Sequence, residues 1–141
     1  MSAEIVLTEA PTLQEHAAIE AGLIAYNRLR GVANDWRPLA VLIKEGDRTV
    51  GGLTGWTMWG WLFISMFFVP AALRGDGLGA RMLRMAEQEA RARGCVGVWL
   101  DTHDWQAPGF YHKLGYTGCG GLADYPPGYN RYFLHKKLAG E

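Results

Sequence analysis

Residues 69–83 read VPAALRGDGLGARML. An apolar segment leads into this stretch, glycines stand at Gly75, Gly77 and Gly79, and a helical pattern follows. Glycine loses more backbone freedom on folding than any other residue, so three of them at a helix mouth need a compensating gain. A strand that turns through glycine into a helix leaves the first helical N–H groups unpaired, at the positive end of the helix dipole. With no Cβ in the way, a phosphate can reach those groups. A connecting turn with no ligand is the plainer alternative. Two common phosphate loops do not fit: Walker A requires a lysine followed by Ser or Thr, and the dinucleotide fingerprint spaces its glycines differently.

The flanking pattern predicts the elements around this loop. Ile5-Val6-Leu7 predicts a short edge strand. A helix is predicted to open at Pro11-Thr12, with Leu13, Ala17, Ala21, Ile24 and Ala25 on one face, and to end at Gly31. Leu39–Ile43 reads as a buried strand, Glu45-Gly46-Asp47 as a turn, and Thr49–Met58 as the returning strand of a hairpin. Trp59-Gly60 gives a second tight turn into a strand over Leu62–Val69. Leu78, Met82, Ala86 and Ala90 share one helical face, Glu87–Arg91 and Glu89–Arg93 are spaced for ion pairs, and Gly94 suits the position just past the helix end. A strand over Val96–Leu100 follows. A short helix runs from Gln106-Ala107-Pro108 to Leu114, stopped by Gly115. Strands over Tyr116–Leu122 and Arg131–Leu138 close the chain. The order implies an α/β (α+β) fold with a mixed sheet flanked by helices.

With 141 residues, the chain is expected to form one domain over 1–141. Fourteen basic residues balance fourteen acidic ones, which argues against nucleic acid or an anionic membrane as partner. The N-terminus lacks the charged and apolar regions of a signal peptide. The apolar run Trp61–Ala72 is interrupted and too short to span a bilayer. Cys95 and Cys119 read as buried free thiols in a reducing, cytoplasmic setting. Asp101, His103 and Asp104 are too few and too crowded for a standard metal site, so no metal is expected.

Arg74-x-x-Gly77-x-Gly79 matches the R/Q-x-x-G-x-G/A signature of the GNAT superfamily of acyl-CoA-dependent N-acyltransferases. Some 30 residues on, Ala107-x-x-Phe110-Tyr111-x-Lys113-Leu114-Gly115-Tyr116 resembles the family's second motif. Order and spacing agree, and the resemblance extends over nearly the whole chain. It implies the GNAT fold: a mixed, mostly antiparallel sheet of 6–7 strands with a central splayed parallel pair, here Leu62–Val69 and Val96–Asp101. It implies acetyl-CoA as cofactor and CoA as product. Phe67, Phe68 and Val69 would line the pantetheine arm, and a backbone N–H near Phe68 or Val69 would polarise the thioester carbonyl. Arg74, Gly75, Asp76, Gly77, Leu78, Gly79 and Ala80 would hold the pyrophosphate. Asp76 departs from the pattern, because an acid beside a pyrophosphate repels it unless it points to solvent. Asp104 stands where the family often has Asn, and an ionised carboxylate cannot donate a hydrogen bond. Ala107 and Phe110 complete the cofactor set.

By the same resemblance Tyr111 is the catalytic acid, hydrogen-bonded to the CoA sulfur; a buried core aromatic is the alternative. Many family members carry a basic carboxylate on the strand before the loop, but Leu62–Val69 offers only Ser65. Asp101 and His103 on the next strand are the nearest base candidates, with a structural role or a water chain as alternatives. The acceptor is expected to be a small-molecule primary amine lined by Tyr26, Asn27, Trp59, Tyr125, Tyr129 and Arg131. The tryptophans of the Trp56–Trp61 hairpin suit either a pocket wall or a homodimer face. A non-catalytic acyl-CoA-binding module or an interaction subunit with the same fold are the competing functions.

Overall fold

The computed structural model describes residues 2–138. The chain divides into two compact units, Met1–Asn34 and Asp35–Glu141. In the first, helix α1 spans Leu13–Leu29. Thr12 caps it by a reciprocal box: Glu15 N–H donates to Thr12 Oγ1 at 3.0 Å, and Thr12 N–H donates to Glu15 Oε1 at 2.8 Å. Gly31, at φ +82°, ends it. Ile5-Val6-Leu7 forms no strand, contrary to expectation. Three apolar residues supply few ladder bonds, and apolar character alone does not provide a paired neighbour.

The second unit contains β1 (Arg37–Glu45), β2 (Arg48–Met58), β3 (Trp61–Phe68), a 3-10 turn (Ala71–Leu73), α2 (Leu78–Ala92), β4 (Gly97–His103), α3 (Pro108–Lys113), β5 (Thr117–Ala123) and β6 (Asn130–Lys137). The sheet has six strands in the order β1-β2-β3-β4-β6-β5. Among the described strands only β3 and β4 pair in parallel, and α2 supplies the crossover that parallel pairing needs. Trp59 and Gly60, both at positive φ, make the tight β2–β3 hairpin turn.

α2 places Met82, Leu83, Ala86 and Ala90 against Leu53, Leu62, Ile64, Val98, Leu100 and Leu134 in the core. Alternation along β4 sends Val98, Leu100 and Thr102 to that core and leaves Asp101 and His103 on the other face. All three helices stop at a left-handed glycine: Gly31, Gly94 and Gly115. After α3, the Tyr116 N–H returns to the Tyr111 carbonyl at 3.0 Å and ties the helix end.

Several local expectations are corrected. Leu42 is half-exposed, because β1 is an edge strand whose side chains alternate between a covered and an open face. Cys119 is exposed, although both cysteines are free; it falls at a register shift in β5, between Gly118 and Gly120. Glu87 does not pair with Arg91. It lies on the buried side of α2, where Tyr116 and Lys136 reach it. The Glu89–Arg93 pair does form, at 2.9 Å.

Candidate active site

The parallel ladder between β3 and β4 runs from Trp61↔Gly97 to Ile64↔Leu100. Beyond it, β3 continues along β2 to Phe68 and β4 continues along β6 to His103. The two strands therefore part into a fork, and the inner edge of β3 past Ile64 is free of β4.

A bulge in β3 shapes this fork. Thr54 pairs with Met66 and Gly55 with Ile64, so Ser65 is the extra residue. The bulge shifts the side-chain phase by one position. Leu62, Ile64 and then Phe67 turn toward the core, while Met66 is two-thirds exposed. Gly55 permits the close crossing, because a Cβ there would strike the Phe63 carbonyl oxygen.

The glycine loop closes the end of the fork. Gly75 and Gly77 lie at φ +96° and +76°, and a Cβ on either would meet nothing within 4 Å. Their left-handed backbone, rather than crowding, selects glycine. Gly79 differs: a Cβ there would stand 3.3 Å from the Phe110 ring. The first helical bond of α2 runs from Arg81 N–H to the Gly77 carbonyl at 3.1 Å. The N–H groups of Leu78, Gly79 and Ala80 thus have no partner within the helix, and no side chain caps them. Arg74 Nε donates to the Val69 carbonyl at 2.6 Å, and its guanidinium lies over the Phe68 ring at 5.7 Å. Asp76 is exposed.

Phe67, Phe110 and Tyr111 meet beside this loop. Their rings pack edge to face, with centroids 5.2 to 6.3 Å apart. Tyr111 also stands 6.0 Å from the Tyr116 ring. Burial, with a smaller effect from the negative charge of Asp101, pushes the Tyr111 phenol up to about 12. Tyr111 therefore keeps its proton at neutral pH.

On β4, Asp101 Oδ2 accepts from Arg131 Nη2 at 2.7 Å. His103 is held by Gln106: its backbone N–H donates to Gln106 Oε1 at 2.9 Å, and its Nδ1 lies 3.1 Å from the same oxygen. The amide oxygen carries no hydrogen and only accepts, so this contact is a hydrogen bond in the neutral tautomer protonated on Nδ1, which leaves Nε2 as the acceptor. Asp104 faces β6, where its carboxylate accepts from Asn130 N–H and the Tyr132 hydroxyl. Both hydrogen bonds hold its carboxyl below the usual range. Ala107 caps α3 through its carbonyl, which accepts from Phe110 N–H at 3.1 Å.

Among the acceptor candidates, Tyr125 and Arg131 gather near Asp101 and His103. Arg131 lies over the Tyr125 ring at 4.8 Å, and Tyr125 stacks on His103 at 5.8 Å. Tyr129 joins them through Trp105, at 5.3 Å. The sequence does not single out Trp105, because the stacking that places it depends on two loops meeting. Trp59 does not join this group. It sits at the β2–β3 turn, the opposite end of β3 from the glycine loop, about 25 Å of strand away. Tyr26 and Asn27 belong to the N-terminal unit. There Tyr26 accepts from Arg30 at 3.1 Å, and the Asn27 carbonyl accepts from Val32 N–H at 3.0 Å.

A fork opened by a bulge, closed by a left-handed glycine loop and an uncapped helix N-terminus, fits an acyl-CoA. The family model described as the acetyltransferase (GNAT) family matches residues 6–116. The chain belongs to the GNAT acetyltransferase family. It is 39% identical over 134 residues to an acetyltransferase of Agrobacterium fabrum, covering 94% of this chain and 98% of that one. It is 42% identical over 107 residues to blasticidin-S acetyltransferase of Streptomyces morookaense, covering 72% and 79%. The crystal structure of an acetyltransferase from Bacillus cereus superposes with a TM-score of 0.80 at 31% identity, covering 94% of this chain and 98% of that one. This GNAT member is thus an acetyl-transferring enzyme with the family's cofactor, acetyl-CoA. Among the described residues, no helix is long and apolar enough to cross a membrane.

Proposed function

We infer that this GNAT enzyme moves the acetyl group of acetyl-CoA to a primary amine of a small molecule, by direct attack within a ternary complex. The fork with Tyr111 at its side is the observation that carries this reading. Acetyl-CoA supplies the acetyl group as a thioester. Phe67, Phe68 and Val69 offer backbone groups along the freed edge of β3, and an N–H near Phe68 or Val69 polarises the carbonyl. The unpaired N–H groups of Leu78, Gly79 and Ala80 take the pyrophosphate. Arg74, tied by Nε to Val69, keeps its terminal nitrogens for the same charge.

Tyr111 holds its proton at Oη, pushed up to about 12. Even a cysteine thiol titrates at about 8.5 and a plain alkyl thiol only somewhat higher, so full proton transfer from Tyr111 to a free thiolate runs uphill. Its role is then hydrogen-bond donation to the sulfur as negative charge develops. His103 Nε2 takes the ammonium proton, directly or through water, with Gln106 as the positioning residue. Asp101 is engaged by Arg131 and serves as an electrostatic partner rather than as the base. Blasticidin-S acetyltransferase among the relatives supports a small-molecule acceptor.

Release of CoA, followed over a panel of primary amines with acetyl-CoA as donor, tests the reading. Turnover on a small amine is expected. Tight acetyl-CoA binding without turnover on any amine would refute it.

A further inference from the structure

The β4–α3 loop and the β5–β6 turn, both beside the open end of the fork, carry a column of flat side chains. The Trp105 indole stacks on His103 with centroids 4.6 Å apart and planes 24° apart. On His103 stacks Tyr125, at 5.8 Å and 28°. Arg131 lies over Tyr125 in turn. Trp105 is 56% exposed and Tyr125 47%. Such rings offer a ligand large, rigid contact area with a polar edge.

Polar groups build this column rather than core packing. Gln106 Oε1 gathers the Thr102 hydroxyl, the His103 N–H and the His103 ring. Asp104 joins the two loops through Asn130 and Tyr132. Within the turn, Tyr125 N–H donates to the Tyr129 carbonyl and Tyr129 N–H to the Pro126 carbonyl, both at 2.9 Å. The flat surface is therefore in place before a ligand arrives, which lowers the entropy cost of stacking on it. Within it Asp101 neutralises Arg131. Flatness is what the rings of the column can select. His103 belongs to the column, so a ring stacked on the exposed face of Trp105 lies near the candidate base.

We propose that the acceptor is a primary amine attached to a planar aromatic or heteroaromatic ring, recognised by stacking on the Trp105–His103–Tyr125 column. This deepens the acetyl-transfer reading and rests on it for the identity of the reacting amine. Saturated rings of equal size contact the column less well, because a puckered ring cannot lie flat on indole.

Calorimetry with CoA present, comparing benzylamine with cyclohexylmethylamine, tests the proposal. The two share the amine and similar volume but differ in planarity. Benzylamine is expected to bind roughly three- to tenfold more tightly. Trp105→Ala should erase that preference, and Trp105→Phe should retain it. Equal affinities in the wild-type enzyme, no measurable binding of benzylamine, or a preference that survives Trp105→Ala would each overturn the proposal. CoA release by the same amines reads the chemistry separately. Planar-selective binding with no acetyl transfer to these or any other amine of the panel would refute the acetyl-transfer reading alone. Transfer without planar preference would refute the stacking proposal alone.

Discussion

Tyr116 donates its hydroxyl hydrogen to Glu87 Oε2 at 2.7 Å, and both side chains are buried. Lys136 reaches the other oxygen of the same carboxylate at 3.1 Å. This joint pins α2 to the segment that ends α3, one residue past the glycine that stops it. Glu87→Gln keeps an acceptor for Tyr116 and loses the ion pair, so it should cost about 1 kcal/mol. Glu87→Ala strands a buried hydroxyl and opens space, and should cost about 3 kcal/mol. Urea unfolding measures both, and equal costs would contradict the joint.

Alkaline titration should separate the tyrosines. Tyr111 rises from an ordinary 10 to about 12, chiefly through burial. Below pH 10 both folded and unfolded chains hold this proton, and its contribution to stability is fully present. Between 10 and 12 the unfolded chain ionises first, and the contribution is lost as pH climbs through 12. Absorbance at 295 nm should therefore show Tyr111 silent at pH 11, and Tyr111→Phe should flatten the loss of stability in that window. A tyrosinate signal at pH 10 that disappears in Tyr111→Phe would contradict this.

If Tyr111 stabilises the developing charge on sulfur, Tyr111→Phe should lower kcat on the order of a hundredfold while sparing acetyl-CoA affinity. Steady-state rates and calorimetry check the split. Undiminished turnover would remove Tyr111 from the chemistry.

Asp76 sits exposed in the glycine loop, where solvent screens its charge. Asp76→Gln should leave CoA affinity unchanged or tighten it by no more than about fivefold. Weaker binding by calorimetry would mean that the carboxylate holds the loop in place.

Gly77, at φ +76°, is the residue that turns the loop into α2. Gly77→Ala should lower stability by roughly 1–2 kcal/mol, and Gly77→Asn by less, because asparagine tolerates this region. A thermal melt of the two variants checks the order.

Most of the secondary structure was legible because its signals are local. Apolar spacing marked α2, and Gly31, Gly94 and Gly115 marked three helix ends. The glycine loop was legible for the same reason, although only the structure divides its glycines by cause: Gly75 and Gly77 for backbone angle, Gly79 for the approach of Phe110. The Ser65 bulge carried no such signal. It sits where β2 and β3 approach closely at Gly55, and it decides that Phe67 rather than Met66 turns inward. Asp101 reads in sequence as a base candidate, and Arg131, thirty residues on, engages its carboxylate. Trp59 reads in sequence as an acceptor wall, and the structure sets it at the end of β3 opposite the glycine loop.

By itself the sequence determined the family, the order of the elements from α1 onward and the glycine loop, since each is written in residues a few positions apart. The tertiary structure alone decided which carboxylates are engaged, which nitrogen of His103 is left open and which aromatic rings form a surface. Those outcomes depend on side chains brought together across strands and loops, and spacing along the chain carries no record of that distance.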